Sequence, residues 1–222
     1  MTRIEILCED GEALVIDKPA GLPLDRPRSG GPSLDDELPY LRLGFAREPL
    51  PVHRLDRDTS GCLLLARNSK ALKRFAKAFE ERLVTKRYLG IVAGEIVAHH
   101  GVIDLPLAKV SSREEGWRMV PSDRGKASVT DWRKLAERDR LTLVEFRPET
   151  GRTHQIRVHA ASGLGAPLLG DPVYGHCPDA TKGAARTMLH AAALTVPREG
   201  KPDIVAVSPL PEDFAALGFN DG

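Results

Sequence analysis

The sequence predicts an α+β fold, in which one mixed domain is rich in antiparallel strands. Short segments that are wholly apolar, or that alternate apolar with polar residues, recur along the chain between turn-forming residues, which is the pattern of strands. Few segments have the apolar spacing of a helix. We find no internal repeat and no linker in the 222 residues, and we therefore expect a single domain, 1–222.

The first predicted strands lie at the N-terminus. The segment "IEILCEDGEALVIDKPAGLPL" predicts two strands around a turn at Asp10-Gly11. Residues 26–33, "RPRSGGPS", are rich in Gly, Pro and Ser and carry Arg26 and Arg28. This composition predicts an exposed loop.

A buried strand and a helix come next. The continuous apolar run "CLLLARN" is typical of a central strand that is covered on both faces. We expect the helix to run from about Ser69 to Leu83, with Asn68 or Ser69 as its N-cap. The residues that share one helical face are Leu72, Phe75, Ala76, Phe79 and Leu83.

The second half of the chain predicts more strands and two further helices. "KRYLGIVAGEI" and "RLTLVEFRP" are strand-like, and we expect "MLHAAALTVP" to pair with "DIVAVS" as a hairpin across "REGK". "THQIRVHAASG" predicts a helix that Thr153 caps and Gly163 closes. "PLPEDFAALG" predicts a terminal helix with Gly218 just past its end.

Composition narrows the class of protein. The chain is 41% hydrophobic and 28% charged, which is ordinary for a folded domain, and no apolar stretch approaches the roughly 20 residues of a membrane span. The N-terminus does not resemble a secretion signal. Cys8, Cys62 and Cys177 are odd in number and widely separated, which favours a cytoplasmic location. The net charge of +1 and the pI of about 7.8 do not by themselves indicate nucleic acid.

Several kinds of site are disfavoured by spacing. His154 and His159 lie five residues apart, which does not place two imidazoles on one helix face, so a metal site is not expected. The segment "GLGAPLLG" follows a helix rather than a strand, unlike a dinucleotide-binding loop. Ser60 leads into a strand, whereas a hydrolase nucleophile needs a turn from strand to helix.

The charged segment "HRLDRDTSG" precedes the buried run. If it is extended, Arg54, Asp56 and Asp58 share a face. A carboxylate beside a guanidinium stays ionised at neutral pH and is available as a nucleophile or a base. By itself, however, the segment favours a salt-bridged turn.

A second basic segment, "TGRTHQIRVH", changes this balance. It offers Arg152, and it places Arg157 near the first turn of a helix, where N–H groups and the helix dipole favour anions. Together with Lys86, Arg87 and Arg186, Arg152 could line one cleft and bind phosphates. We therefore expect covalent chemistry on a polyanionic substrate.

The motifs resemble those of one family. "HRLDRDTSGCLLLARN" resembles the catalytic segment of the RluA-type RNA pseudouridine synthases, whose signature is His-Arg-Leu-Asp-x-x-Thr-Ser-Gly. The segments "VIDKPAGLPL", "KRYLGIVAG", "GKASVTDWRKL", "TGRTHQIRVH", "GDPVYG" and "RTMLHAAALTVP" follow the order of the family, so that the resemblance runs from about Leu14 to Pro209.

The resemblance implies both a fold and an activity. The fold is a pseudouridine synthase domain, with a mixed, mainly antiparallel central sheet flanked by helices and loops around an RNA-binding cleft. The activity is isomerisation of a uridine in a structured tRNA or rRNA to pseudouridine, without cofactor or metal. We also expect a monomer, with no obligate protein partner and no membrane association.

The resemblance assigns roles to five residues. Asp56 matches the catalytic aspartate, and Arg157 matches the arginine that pairs with it. Tyr88 matches the tyrosine that stacks on the target uracil and serves in a late proton transfer. Arg54 matches the arginine that enters the space left by the flipped nucleotide, and Leu189 matches an apolar wall of the uracil pocket. Whether the carboxylate attacks the sugar, removes its 2′ proton or adds to the base is left open.

The remaining motif residues are expected to serve structure. Thr59, Ser60 and Gly61 are expected to shape the turn that presents Asp56, and Asp58 falls on a variable position with Arg57 as local surface. Asp171 is expected to cap a loop, and His154 and His159 to pack the helix or to lie beside phosphates. For Lys18 the sequence favours neither of two roles, a phosphate contact or a surface charge. The residues concerned are Lys18, Arg57, Asp58, Thr59, Ser60, Gly61, His154, His159 and Asp171.

Some features depart from the family. We expect the S4-type RNA-binding domain of many relatives to be absent, and the first motif continues "LPLDRPRSGG" where relatives often have Val-His. RNA selection is then expected from the catalytic face and its loops, notably residues 25–50 and 98–126. An RNA-binding or RNA-folding protein with secondary or no catalysis is the alternative function.

Overall fold

A computed structural model describes residues 4–27, 29–112, 116–175 and 184–220. Arg28 and Cys177, which the sequence analysis singled out, lie outside the described residues. The strands are β1 (Glu5–Glu9), β2 (Ala13–Lys18), β3 (Leu50–Pro51), β4 (Ser60–Ala66), β5 (Thr85–Ala93), β6 (His100–Asp104), β7 (Leu107–Ser112), β8 (Gly116–Pro121), β9 (Val129–Arg138), β10 (Leu141–Pro148), β11 (Leu189–Val196) and β12 (Ile204–Val207). The α-helices are α1 (Leu34–Glu37), α2 (Ser69–Glu80), α3 (Gln155–Val158) and α4 (Glu212–Ala216).

The chain divides into two compact units, and the first combines Met1–Lys86 with Ala191–Pro209. Its strands follow the order β1, β2, β4 and β11, while β3 pairs with β4 and β12 with β11. The pairing of β2 with β4 is antiparallel and sets Lys18 opposite Gly61. The predicted N-terminal hairpin and the hairpin of β11 with β12 are both confirmed.

The core of the first unit forms around β4, which is buried along its whole length. The predicted helix after it is confirmed as α2, with the Asn68 side chain accepting the Ala71 N–H at 2.9 Å as N-cap. Its apolar face packs through Phe75 against residues of β2, β4 and β11. This face covers one side of β4, as the continuous apolar run required.

The end of the predicted helix is wrong by one turn. α2 stops at Glu80, because Arg82 adopts a left-handed backbone conformation with φ +59°. Leu83 is therefore 55% exposed instead of continuing the apolar face, and Ala76 is also exposed.

Gly61 occupies a position that only glycine fits. Its φ is +106°, and a Cβ there would lie 2.2 Å from the carbonyl oxygen of Ala191. Both the backbone conformation and the close approach of β11 exclude a side chain. Gly61, the last residue of "HRLDRDTSG", therefore allows the first residues of β4 to lie against the backbone of β11.

The second unit combines Arg87–His190 with Leu210–Gly222. Its strands follow the order β5, β10, β9 and β6 with antiparallel pairing, and β7 and β8 form a separate hairpin. Phe146 lies opposite Tyr88 on one side and Trp132 on the other. A core cluster that includes Phe146 and Trp132 packs against Ile156 of α3.

Two expectations for the second unit are wrong. Residues 98–126, expected as loops, contain β6, β7 and β8, whose mostly exposed residues produce no apolar alternation. The helix expected from Thr153 begins at Gln155 instead, because His154 takes φ +54°, and it continues into a π-helical turn, His159–Gly163. The terminal helix is confirmed as α4, with Gly218 at φ +84° just beyond it.

The helices of the described residues include none long and apolar enough to cross a membrane.

Candidate active site

The candidate residues are distributed over both units. Arg54, Asp56, Lys18 and Lys86 belong to the first unit, whereas Tyr88, Arg152, Arg157 and Leu189 belong to the second.

Asp56 sits in an irregular segment that closes with a tight turn before β4. The Thr59 N–H donates to the Asp56 carbonyl at 3.1 Å, and Leu55 and Thr59 on either side of this turn are buried. The Asp56 side chain is partly exposed and Arg54 is exposed. The segment therefore buries Leu55 and Thr59 and leaves Arg54 exposed and Asp56 partly exposed.

The turn carries a local ion pair at the two positions that were expected to be local surface. The Arg57 Nε lies 2.9 Å from Asp58 Oδ1, and the Arg57 side chain is 65% exposed. This exposed pair contributes little stability. Thr59 and Ser60 are buried, which agrees with the expectation that they shape the segment.

Lys18 holds the turn from behind. It is 0% exposed, and its ammonium group donates to the carbonyls of Pro19 at 2.8 Å, Leu22 at 2.9 Å and Arg57 at 3.0 Å. The Gly21 N–H donates to the same Arg57 carbonyl. The surface-charge alternative for Lys18 is therefore wrong. A phosphate contact stays a prediction, and it would require the ammonium group to give up at least one of these carbonyls.

His53 has a structural role that the sequence analysis did not identify. Its Nε2 accepts the Leu64 N–H of β4 at 3.0 Å, and its ring stacks on Phe79 at 4.7 Å between centroids. Burial, with a smaller contribution from the Lys86 cation, lowers the pKa of His53 to about 3. The ring is therefore neutral at physiological pH, as the hydrogen bond to Leu64 requires.

Lys86 is partly buried at the start of β5. Burial, followed by the nearby Arg82 cation, lowers the pKa of Lys86 to about 8. The ammonium group is thus still largely charged at pH 7, as a phosphate contact would require, but it loses its charge in mildly alkaline solution.

Tyr88 and Leu189 are brought together by the core of the second unit. Both pack in the cluster around Phe146, where Leu189 is 4% exposed and Tyr88 only partly buried. Gly90, two residues along β5, has no room for a Cβ because the Leu168 side chain lies 2.7 Å from that position. An aromatic ring with one side on an apolar cluster is a suitable surface for a base to stack on.

Arg157 lies on α3 and is 7% exposed. Its Nε and Nη2 donate to the two carboxylate oxygens of Asp171, at 2.7 and 2.8 Å. Asp171 also accepts the N–H groups of Val173 and Tyr174, so the predicted loop cap is confirmed. The ion pair with Arg157 was missed, since 14 residues separate the partners and no local spacing indicates it.

The charge of Asp171 is secured by these contacts. Burial raises the pKa of this carboxyl group, but the Arg157 guanidinium and the two backbone N–H groups lower it more strongly, and the net pKa lies below its ordinary value. Asp171 is therefore ionised near neutral pH.

Arg152 is oriented by the loop before α3. Its Nε donates to the Ala127 carbonyl at 3.1 Å, while its backbone N–H donates to Gln155 Oε1 at 2.9 Å. Gln155 also donates to the Val129 carbonyl and to Thr130. Through these hydrogen bonds, Gln155 connects the loop before α3 to β9.

Two of the arginines expected to bind phosphates have other partners. Arg87 pairs with the buried Glu145, which Arg133 and Arg147 also contact. The Arg186 guanidinium donates to both carboxylate oxygens of Asp213 and to the carbonyls of Thr187 and Leu189. Both arginines therefore have structural roles that the sequence did not reveal.

The two histidines of the "TGRTHQIRVH" segment take part in packing. His159 is fully buried, and its ring nitrogens lie 2.9 Å from Thr130 Oγ1 and 3.1 Å from the Leu105 carbonyl. His154 stacks on Trp117 and bonds to the Tyr174 hydroxyl. Within the described ranges, His, Cys, Asp and Glu form no group of three or more able to hold a metal ion.

Comparison with known proteins shows the family of the chain. Residues 12–162 match the family model described as RNA pseudouridylate synthase. An uncharacterized RNA pseudouridine synthase of Zymomonas mobilis is 53% identical over 96% of this chain and 97% of its own length. Ribosomal large subunit pseudouridine synthase D of Xanthomonas campestris is 39% identical over 96% of this chain and 68% of its own length.

Solved structures show the same likeness. Human RNA pseudouridylate synthase domain containing 1 superposes with a TM-score of 0.80 and 30% identity, covering 94% of this chain and 84% of that one. Human RNA pseudouridylate synthase domain containing 4 has a TM-score of 0.79 and 28% identity, with coverage of 95% and 90%. The chain therefore belongs to the RNA pseudouridylate synthase family, as an RluA-type RNA pseudouridine synthase, an isomerase.

Proposed function

We propose that the enzyme isomerises a specific uridine in a structured ribosomal or transfer RNA, with Asp56 as the catalytic carboxylate. The observation that carries this proposal is the way in which Asp56 is held. The carbonyl of Asp56 closes a turn, the next carbonyl is bound by the buried Lys18 ammonium, and the fully buried β4 follows. A side chain on such a rigid support keeps a fixed orientation, which a covalent or proton-transfer step requires.

The target uridine has to leave its stack before Asp56 can reach it. Flipping costs about a few kcal/mol, and stacking on an aromatic ring returns roughly 1–3 kcal/mol per base. We assign this stacking to Tyr88, with Leu189 as the neighbouring apolar wall, because both pack in one cluster. The exposed Arg54 is assigned to the space that the flipped nucleotide leaves.

Cations are assigned to the phosphates and to the reacting carboxylate. Arg152 and Lys86 remain the phosphate-binding candidates, and both are partly exposed. Arg157 is assigned to the catalytic carboxylate, which an adjacent guanidinium orients through charge-assisted hydrogen bonds. Lys18 is assigned to support of the turn, and its phosphate contact stays a prediction.

The relatives direct the choice of the first RNA to test. Several are named ribosomal large subunit pseudouridine synthases, which supports large-subunit ribosomal RNA ahead of transfer RNA. We further propose that residues 1–222 act as one catalytic domain, as a monomer and in the cytoplasm.

The test is chemical mapping of pseudouridine on unmodified transcripts of large-subunit ribosomal RNA and of transfer RNA. We expect a product at a defined uridine with the wild type and none with Asp56→Asn, while RNA binding is retained. Asp58→Asn is the matched control, because it removes a neighbouring carboxylate whose described partner is the exposed Arg57, and it should keep activity.

Two outcomes would contradict the proposal. If Asp56→Asn still forms pseudouridine, Asp56 is not the catalyst. If the wild type binds both RNAs and modifies neither, the alternative of an RNA-binding or RNA-folding protein is favoured.

A further inference from the structure

The Arg157 guanidinium is held in a fixed plane by a fully buried carboxylate. Two parallel N–H···O bonds to Asp171 define both the position and the rotation of the planar group. Asp171 is 0% exposed and is itself held by the backbone N–H groups of Val173 and Tyr174 at 2.9 and 3.1 Å. The orientation of Arg157 is thus determined by the loop that follows residue 170.

Tyr174 adds a second constraint. The Arg157 Cζ lies 5.1 Å from the centroid of the Tyr174 ring, which is a cation–π distance. At the far end of this ring, the hydroxyl accepts the Met119 N–H of β8 at 3.0 Å and lies 2.9 Å from His154 Nδ1. The ring is therefore tied to the hairpin of β7 and β8 and to the residue that precedes α3.

Stability alone does not account for this arrangement. Removing two charges from water costs several kcal/mol per ion, and apolar residues of similar volume would often stabilise a protein as well or better. What a buried bidentate pair does provide is direction. Asp171 takes two of the five N–H groups of Arg157, and the planar geometry of the guanidinium then sets where the other three point.

We propose that Asp171 and Tyr174 are positioning residues, which aim the Arg157 guanidinium for its part in the isomerisation. This inference rests on the function proposed above for Arg157. Neither residue needs to touch the substrate, and both act through the orientation of Arg157.

The first test separates rate from binding. Single-turnover rates and RNA affinities are measured for Asp171→Asn and Tyr174→Phe with the unmodified large-subunit ribosomal RNA transcript. A small displacement of a catalytic group costs about 100-fold in rate, and we expect Asp171→Asn to approach this loss with nearly unchanged affinity. Tyr174→Phe keeps the ring and removes the hydroxyl, and we expect a loss of about 2- to 10-fold. Wild-type rates in both variants, or a loss confined to affinity, would overturn the proposal.

A double-mutant cycle tests whether Asp171 acts through Arg157. If it does, Asp171→Asn combined with Arg157→Lys should be no slower than Arg157→Lys alone. Multiplying losses would show an independent effect and would contradict the positioning role. Thermal unfolding of each variant confirms that folded protein is compared, and Tyr174→Phe provides the test if Asp171→Asn does not fold.

Glu145→Gln is the matched control. Glu145 is likewise a buried carboxylate that pairs with arginines of the second unit, so Glu145→Gln also removes the charge of a buried carboxylate from its ion pairs. We expect Glu145→Gln to lower stability while the rate of the folded protein is kept. An equal loss of rate in both variants would reduce Asp171 to a general structural residue.

An NMR measurement separates failure of this inference from failure of the proposed function. In ¹⁵N-labelled protein, the Nε–H of Arg157 should exchange slowly with solvent and should exchange faster in Asp171→Asn. Unchanged exchange would overturn the positioning role by itself. If the wild type forms no pseudouridine, the proposed function fails, and the exchange rates still decide whether Asp171 orients Arg157.

Discussion

Replacement of Lys18 by methionine should loosen the turn that presents Asp56. The change keeps the length of the side chain but removes three hydrogen bonds, to the carbonyls of Pro19, Leu22 and Arg57. A buried acceptor that loses its partner costs about 1–3 kcal/mol, which sums to about 2–6 kcal/mol for the Pro19 and Leu22 carbonyls, since the Arg57 carbonyl keeps the Gly21 N–H. Two effects reduce this sum, since water reaches partly exposed carbonyls and the desolvation cost of the buried ammonium, several kcal/mol, disappears. We therefore expect a net loss of about 1–3 kcal/mol.

The free energy of unfolding is measured by urea titration, and single-turnover pseudouridine formation is measured on large-subunit ribosomal RNA at a temperature where the variant is folded. We expect a lower rate, because the Arg57 carbonyl directly follows the turn residue Asp56. Lys134→Met is the control, since it removes an ammonium group bound to the Ile96 carbonyl and to Glu137 in the second unit.

The salt dependence of RNA affinity identifies the role of Lys18. If Lys18 only supports the turn, the slope of log affinity against log salt should be unchanged in Lys18→Met. A phosphate contact would reduce this slope by about one. A Lys18→Met variant with wild-type stability and wild-type rate would refute the reasoning altogether.

Two further predictions concern pH. His53 has a pKa of about 3 in the folded protein, whereas in the unfolded chain it takes up a proton near its ordinary pKa of 6.5. The free energy of unfolding should therefore fall as pH drops from about 6.5 towards 3, by about 1.4 kcal/mol per pH unit. Urea titrations should show a smaller loss in His53→Gln, and an equal slope in both proteins would contradict the assignment. Since the pKa of Lys86 is lowered to about 8, RNA affinity should weaken as pH rises through 8. This pH dependence should vanish in Lys86→Met. It should persist in the control Lys73→Met, which alters an exposed residue of α2. Filter binding at constant salt measures this, and identical pH profiles for wild type and Lys86→Met would exclude a phosphate contact by Lys86.

Much of the secondary structure could be predicted from the sequence, because it follows from local patterns. The apolar run of β4, the Asn68 cap of α2 and the antiparallel hairpin of β11 with β12 are all confirmed. The predictions failed where the local signal is weak or overridden. The strands β6, β7 and β8 are mostly exposed and show no alternation, and the left-handed His154 displaces the start of α3 from Thr153.

In the candidate site, too, residues in short motifs could be predicted and residues with long-range contacts could not. Asp56, Tyr88 and Arg157 could be predicted as site residues because their motifs are short and ordered along the chain. Their supporting residues were not identified, since a lysine or an aspartate has the same appearance in a sequence whether it is exposed or buried. Lys18 was open between surface charge and phosphate contact, and Arg87 and Arg186 were expected on phosphates although they bind Glu145 and Asp213.

The sequence by itself determined the family, the residues proposed for catalysis and the strands and helices with strong periodicity. Only the tertiary structure decided which residues contact each other over long distances in the sequence. Lys18 donates to a carbonyl 39 residues away, and Asp171 pairs with Arg157 across 14 residues. The backbone of Ala191 lies where a Cβ of residue 61 would be, so that only glycine fits there. The physical reason is that periodicity and capping depend on neighbours within a few residues, whereas burial and ion pairing depend on which distant segments pack together.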